Sequence, residues 1–150
     1  MKINFSQDNN LDEHEILVDV HASQLSSEVV DLIHKLESFE ENSSKHVSIY
    51  YRDQFIMLNQ SDVISVEVLK NKLTINTTKN TYETNGSLKN MVDKLNHDFI
   101  QISKFAVVNI NHLKSMETAF SGNMTAFLTN GLKVHVSRKY LPNLKQRLGI

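Results

Sequence analysis

Cysteine is absent from this 150-residue chain, proline occurs once and glycine only four times. Without a thiol there is no disulfide framework, no thiolate zinc site and no cysteine nucleophile, and the composition fits a reducing compartment. Four glycines leave little material for a phosphate-cradling loop, and neither a P-loop, a G-x-G-x-x-G nor a G-x-S-x-G occurs. No stretch of about 18 apolar residues is present. The N-terminal MKINFSQDNNLDEHEILVDV lacks an apolar run followed by a small-residue cleavage site. The expectation is a soluble, unexported, cytoplasmic protein.

Histidine is plentiful, but its spacing excludes the usual metal patterns. His14, His21, His34, His46, His97, His112 and His135 never stand three or four residues apart, and no HExxH occurs. No metal, no cofactor and no enzymatic activity are therefore expected.

What is present is an ordinary globular composition, 40% hydrophobic and 22% charged, in a chain long enough to bury a core without staples. The net charge of −1 conceals two halves. Residues 1–55 carry four Lys/Arg against eleven Asp/Glu, a balance of −7, and residues 56–150 carry twelve against six, a balance of +6. Such asymmetry suggests that only one part faces a polyanion.

Along the chain, EILVDVH (15–21) reads as a strand. ASQLSSEVVDLIHKLESF reads as a helix with Ser26 or Ser27 as its cap and Leu25, Val29, Leu32, Ile33 and Leu36 in one stripe. ESFEENSSKH (37–46) reads as a loop and boundary. The organisation expected is a β-α annex over 1–45, for packing or dimerisation, and a second domain over 46–150. From Val47 onward, runs rich in Val, Ile, Tyr and Thr are broken at Arg52-Asp53, Asn59–Asp62, Lys70–Lys72 and Lys79-Asn80, the spacing of meandering antiparallel strands. A short helix, with Ser87 as N-cap, puts Leu88, Met91, Val92 and Leu95 on one face. Asn130-Gly131 reads as a type I′ hairpin turn, with Phe127 facing Val134, Thr129 facing Leu132, and Lys133, His135 and Ser137 on the polar side.

After that hairpin, Arg138 and Lys139 stand at the corner between a strand and a helix with Pro142 in its first turn and Leu141, Leu144 and Leu148 as its apolar positions. A basic pair near a helix N-terminus suits an anion such as phosphate.

Three blocks, GSLKNMVDKL (86–95), FIQISKFAVVNINHLKSME (99–117) and LTNGLKVHVSRKYLPNLKQRL (128–148), resemble in order and spacing the LytTR DNA-binding domain of bacterial transcription regulators. The resemblance runs from about Val47 to Leu148. It implies an α+β, mainly β fold of small antiparallel sheets with short helices, here preceded by the N-terminal β-α unit. It also implies sequence-specific binding of double-stranded DNA through loops on a β scaffold. Carried onto this chain, the three DNA-binding loops are Asn71 with Lys72, Ser103 with Lys104, and Arg138 with Lys139. A homodimer on repeated half-sites is the expected assembly.

This sequence departs from the family pattern at the second loop. Where many members read F-x-R-x-H-R-S, it has Phe99, Gln101, Ser103, Lys104 and Phe105, so one arginine and the histidine are missing and an altered sequence preference is expected. Phe105 is left open between a core residue and a wedge against DNA. The 1–45 segment is too short for a receiver domain, and Asp12, Asp19 and Asp31 form no receiver-like arrangement. The chain thus resembles the stand-alone regulators of this family, some of which are restrained by a small membrane inhibitor protein. The alternative is the same fold with weakened DNA binding, acting as partner or antagonist of another regulator.

Overall fold

The computed structural model describes residues 1–12, 15–41 and 45–150, and the chain divides into two compact units, residues 1–35 and 36–150.

In the first unit, EILVDVH forms no strand. A strand needs a neighbour to take its N–H and C=O groups, and among the described residues none pairs with this run. Ile16, Leu17 and Val18 are left 79%, 66% and 54% exposed. The helix forms, but its expected stripe does so only in part, since Leu25 precedes it: α1 spans Ser27–Glu41, and the Ser26 hydroxyl caps it by accepting from the Val29 N–H at 3.4 Å. Val29, Leu32 and Ile33 are half-buried, whereas Leu25 and Leu36 are exposed. The helix overruns the first part of ESFEENSSKH, expected as loop, because Glu and Phe are no helix breakers and charge alone does not end a helix. Residues 42–44 of that stretch lie outside the described residues.

In the second unit, the polar breaks at Arg52-Asp53, Lys70–Lys72 and Lys79-Asn80 are turns between paired antiparallel strands, and Asn59–Asp62 is a 3-10 corner between two sheets. β1 (His46–Tyr51) and β2 (Gln54–Asn59) form a hairpin. β3 (Val63–Leu69), β4 (Lys72–Thr77), β5 (Thr81–Asn85), β6 (Phe99–Ser103) and β7 (Ala106–Asn109) form a sheet in the order β5-β4-β3-β7-β6. β8 (Leu113–Thr118), β9 (Met124–Leu128) and β10 (Lys133–Val136) form a third sheet, and α2 (Leu88–Val92) and α3 (Leu141–Leu148) complete the unit. Ser87 caps α2 by accepting from the Asn90 N–H at 3.2 Å, and Leu88, Met91 and Leu95 are buried as their spacing requires.

Alternation along β7 sends Val107 and Val108 to opposite faces of the central sheet, and each belongs to a different core. Val107 joins Val66, Leu73 and Ile75 with Ile49 and Leu58 of the β1–β2 hairpin and Leu88 and Met91 of α2. Val108 joins Ile100 and Ile102 with Ala126, Leu128, Val134 and Val136 of the third sheet and Leu144 of α3. Each large apolar side chain so buried contributes about 1.5–3 kcal/mol. The central sheet is thereby held rigid from both sides.

Two similar corners route the chain between sheets. Asn59 ends β2 and accepts from the Ser61 N–H at 3.2 Å, opening the 3-10 turn Gln60–Asp62. Asn109 ends β7 and accepts from the Asn111 N–H at 3.0 Å, opening the 3-10 turn Ile110–His112. The second corner clamps the first, because the buried Asn109 amide donates to the carbonyls of Val63 at 3.1 Å and Gln60 at 3.4 Å. His112 adds a bridge, with its ring nitrogens 2.9 Å from the Thr129 hydroxyl and 2.7 Å from the Ser61 carbonyl.

One hairpin differs from the sequence expectation. Lys133 stands opposite Phe127 and Val134 opposite Ala126, one residue out of the anticipated register. Gly131 has φ +80° but Asn130 is not in the left-handed region, so the connection is not type I′. The Asn130 side chain accepts from the Leu132 N–H at 3.1 Å, a local bond that competes with the tighter turn. Ala126, Leu128, Val134 and Val136 consequently fill the core, and the Lys133 ammonium lies 5.4 Å from the Phe127 ring. A two-residue turn with both φ positive occurs instead at Arg52-Asp53 (φ 50° and 61°), between Tyr51 and Gln54.

Candidate nucleic-acid interface

Antiparallel pairing puts the β3–β4 turn and the β6–β7 turn at the same end of the central sheet, because β3 and β7 are neighbours. The Val68 N–H donates to the Phe105 carbonyl at 2.8 Å, which ties the first turn to the second. The Ser137 N–H donates to the Ile102 carbonyl at 2.9 Å, which ties the corner after β10 to the second turn. Asn71 and Lys72, Ser103 and Lys104, and Arg138 and Lys139 are thus brought into one row, although up to 68 positions separate them in the chain.

Within that row the residues do different things. Asn71, Lys72, Lys104, Arg138 and Lys139 are exposed. Ser103 is 7% exposed, and its hydroxyl accepts from the Phe105 N–H at 3.1 Å, so it shapes the turn that presents Lys104. Gln101 supports the same turn by donating to the Ser103 carbonyl at 3.0 Å. Phe105 is 58% exposed and belongs to neither core, and the Lys104 ammonium stands 5.7 Å from its ring. Leu69, 78% exposed, adds apolar surface at the first turn.

Among the described residues, Lys72 is the one cation of this row with a carboxylate partner, Glu83 on β5 at 3.6 Å, both about 59% exposed. Among the described residues, no carboxylate lies within ion-pair distance of Lys104, Arg138 or Lys139. Uncompensated cations at fixed positions on a rigid sheet end are suited to a polyanion.

The structure adds residues that sequence reading passed over. Lys70 occupies the first turn with φ 56°. Arg52, at the tip of the β1–β2 hairpin, shares a concavity of about 490 Å³ with Tyr50, Lys72, Glu83 and Thr84. A second concavity, about 580 Å³, lies against Arg138 and is lined by Ser121, Asn123, Lys139 and Pro142. Positive charge near a turn was the available signal for Lys70 and Arg52; nothing local marked Asn123.

The model of the LytTr DNA-binding domain family matches residues 53–149. The sensory transduction protein LytR of Staphylococcus epidermidis (strain ATCC 12228 / FDA PCI 1200) is 36% identical over 115 residues, 75% of this chain and 46% of that protein. The chain thus spans about half the length of this relative. An uncharacterized HTH-type transcriptional regulator of Staphylococcus aureus (strain NCTC 8325 / PS 47) is 28% identical over 142 residues, 94% of this chain and 95% of that protein. A solved LytTr DNA-binding domain from Bacillus cereus superposes with a TM-score of 0.64 at 26% identity, over 72% of this chain and all of that one. Here the described helices are never consecutive, since strands separate each from the next. Among the described residues no helix is long and apolar enough to cross a membrane.

Proposed function

Because the chain belongs to the LytTR DNA-binding domain family of transcription regulators, we propose that it recognises specific double-stranded DNA by inserting the row of basic turns into successive grooves. The observation that carries this reading is the pair of backbone hydrogen bonds that aligns the turns of Lys72, Lys104 and Arg138 at one sheet end. Arg138 is the base-reading residue, since its planar fork matches the two acceptors on guanine. Lys104, Lys139 and Lys72 neutralise phosphates, Asn71 offers an amide to a base or sugar edge, and Ser103 acts by shaping its turn. Gln101 and Ser103, in place of arginine and histidine, give a preference unlike that of relatives that keep those residues.

The segment 1–45 is the protein-contact part, and domain 46–150 the DNA-contact part, of a cytoplasmic homodimer on repeated half-sites. Exposed Ile16, Leu17 and Val18 support that role, because uncovered apolar side chains favour association. The same exposure favours a second reading, in which the chain is the partner or antagonist of another regulator. Sedimentation of the whole chain beside one shortened to begin at Lys45 tests the dimer: an unchanged monomer–dimer balance removes the segment from it.

Fluorescence anisotropy on the DNA upstream of the protein's own gene and on a shuffled duplex, at about 50 and 200 mM salt, tests the main reading. The expected result is preference for the native duplex and a loss of affinity on the order of a hundredfold across that salt range, the effect of about four neutralised phosphates. Equal, salt-insensitive binding to both duplexes would favour the second reading.

A further inference from the structure

The loop between β8 and β9 is fastened to the third basic corner. Its tip, Phe120–Gly122, is a short 3-10 turn in which Ser121 (φ 59°) and Gly122 (φ 76°) are both left-handed. The Ala119 N–H donates to the Asn123 carbonyl at 2.9 Å and closes the loop. The Asn123 side-chain oxygen accepts from the Arg138 N–H, also at 2.9 Å. At Gly122 a Cβ would come within 3.0 Å of the Arg138 Cδ, so the arginine stem lies directly against the glycine backbone. Arg138 therefore leaves the corner held on its N–H by Asn123 and on its stem by Gly122. A long side chain that reads a base needs such restraint, because each free rotamer it must give up weakens the contact.

Phe120, next to that clamp, is 93% exposed. No core residue covers it, and the concavity between this loop and Arg138 is lined by no carboxylate. An exposed aromatic side chain two residues before the glycine that touches the Arg138 stem suits a groove wall, where it packs on sugar and base edges or wedges between base steps.

We propose that the Phe120–Asn123 loop is a fourth element of the DNA-reading surface, in which Asn123 and Gly122 position Arg138 and Phe120 contacts the groove beside it. This rests on the proposed function above and adds to it positioning and contact residues outside the three basic turns.

The test uses the full-length chain and the duplex that it enriches most from a randomised 30-base-pair library, with a shuffled duplex of the same composition as control. Asn123→Ala is expected to lower the preference for the enriched duplex about tenfold, the share of discrimination one bidentate contact supplies. Its affinity for the shuffled duplex and its salt dependence stay those of the wild type. In an Arg138→Ala background, Asn123→Ala is expected to change neither duplex. Phe120→Ala, a change at a surface side chain, is expected to weaken the enriched duplex about fivefold, the low end of what one mismatched base pair costs.

Equal weakening of both duplexes by Asn123→Ala, or an undiminished Asn123→Ala effect without Arg138, would make the loop a structural support only. Unchanged binding in both single variants would overturn the inference while leaving the regulator reading intact. A wild-type chain that enriches no duplex and shows no salt-dependent binding would remove both.

Discussion

Lys72 and Arg138 sit at the two ends of one row of turns, yet their surroundings are opposite in kind. Lys72 opens β4 directly after the two-residue turn Lys70-Asn71, and its ammonium is shared with Glu83 at 3.6 Å. Arg138 follows a strand that buries Val134 and Val136, has no carboxylate within ion-pair distance among the described residues, and is held at its N–H by Asn123. Both are exposed cations. A positive side chain already satisfied by the protein has to surrender that partner to a phosphate, whereas one left unsatisfied but positioned surrenders nothing.

The contrast is testable variant by variant. Arg138→Ala should have the largest effect: a loss of about ten- to a hundredfold on the preferred duplex, with little change on a shuffled one, because base readout carries about 1–3 kcal/mol of discrimination. If it weakens both duplexes alike, Arg138 is a phosphate contact and the distinction between the two ends disappears. Lys104→Ala should come next. Several-fold weaker binding is expected on any sequence, with the salt slope reduced by about one, as read from titrations at several salt concentrations.

Lys72→Ala should cost less than Lys104→Ala, about twofold, since part of its charge is already offset by Glu83 and exposed ion pairs are weak, about 0–1 kcal/mol. The smallest effect sharpens the comparison most. Glu83→Gln should tighten binding to both duplexes about twofold by freeing Lys72, a gain visible in anisotropy at low salt and absent at high salt. A loss of affinity in Glu83→Gln would mean that the pair orients Lys72 productively.

How much of this was legible in the sequence depended on how far apart the partners were. The Ser87 cap and the Leu88, Met91 and Leu95 face are local, and they were readable. EILVDVH looked like a strand because its residue types favour one, but pairing is a property of a neighbour and none is supplied. The Asn130-Gly131 turn misled because a side-chain bond from Leu132 to Asn130 relaxes the chain into a longer connection. Arg52-Asp53, with no glycine, formed the tighter turn.

The same limit applies to the candidate site. The order of three family blocks pointed to Lys72, Lys104 and Arg138. The burial of Ser103, the Glu83 partner and the Asn123 clamp arise from strand register and from residues 11 to 15 positions away, where no local pattern marks them. Asn109, within the second block, fastens one 3-10 corner to the other through carbonyls 46 and 49 positions away, which no local pattern marks.

The strand order β5-β4-β3-β7-β6 has one more consequence. It places the centre of the first turn two strand spacings from the centre of the second, about 10 Å, or about three base-pair rises. Packed cores on both faces stop that interval from stretching. Under the proposed mode of binding the sheet end would act as a ruler, and a DNA site should tolerate a changed letter better than a changed length. One base pair inserted between two contacted positions moves the second by about 3.4 Å and turns it by about 35°, which carries the second groove away from the turn that faces it.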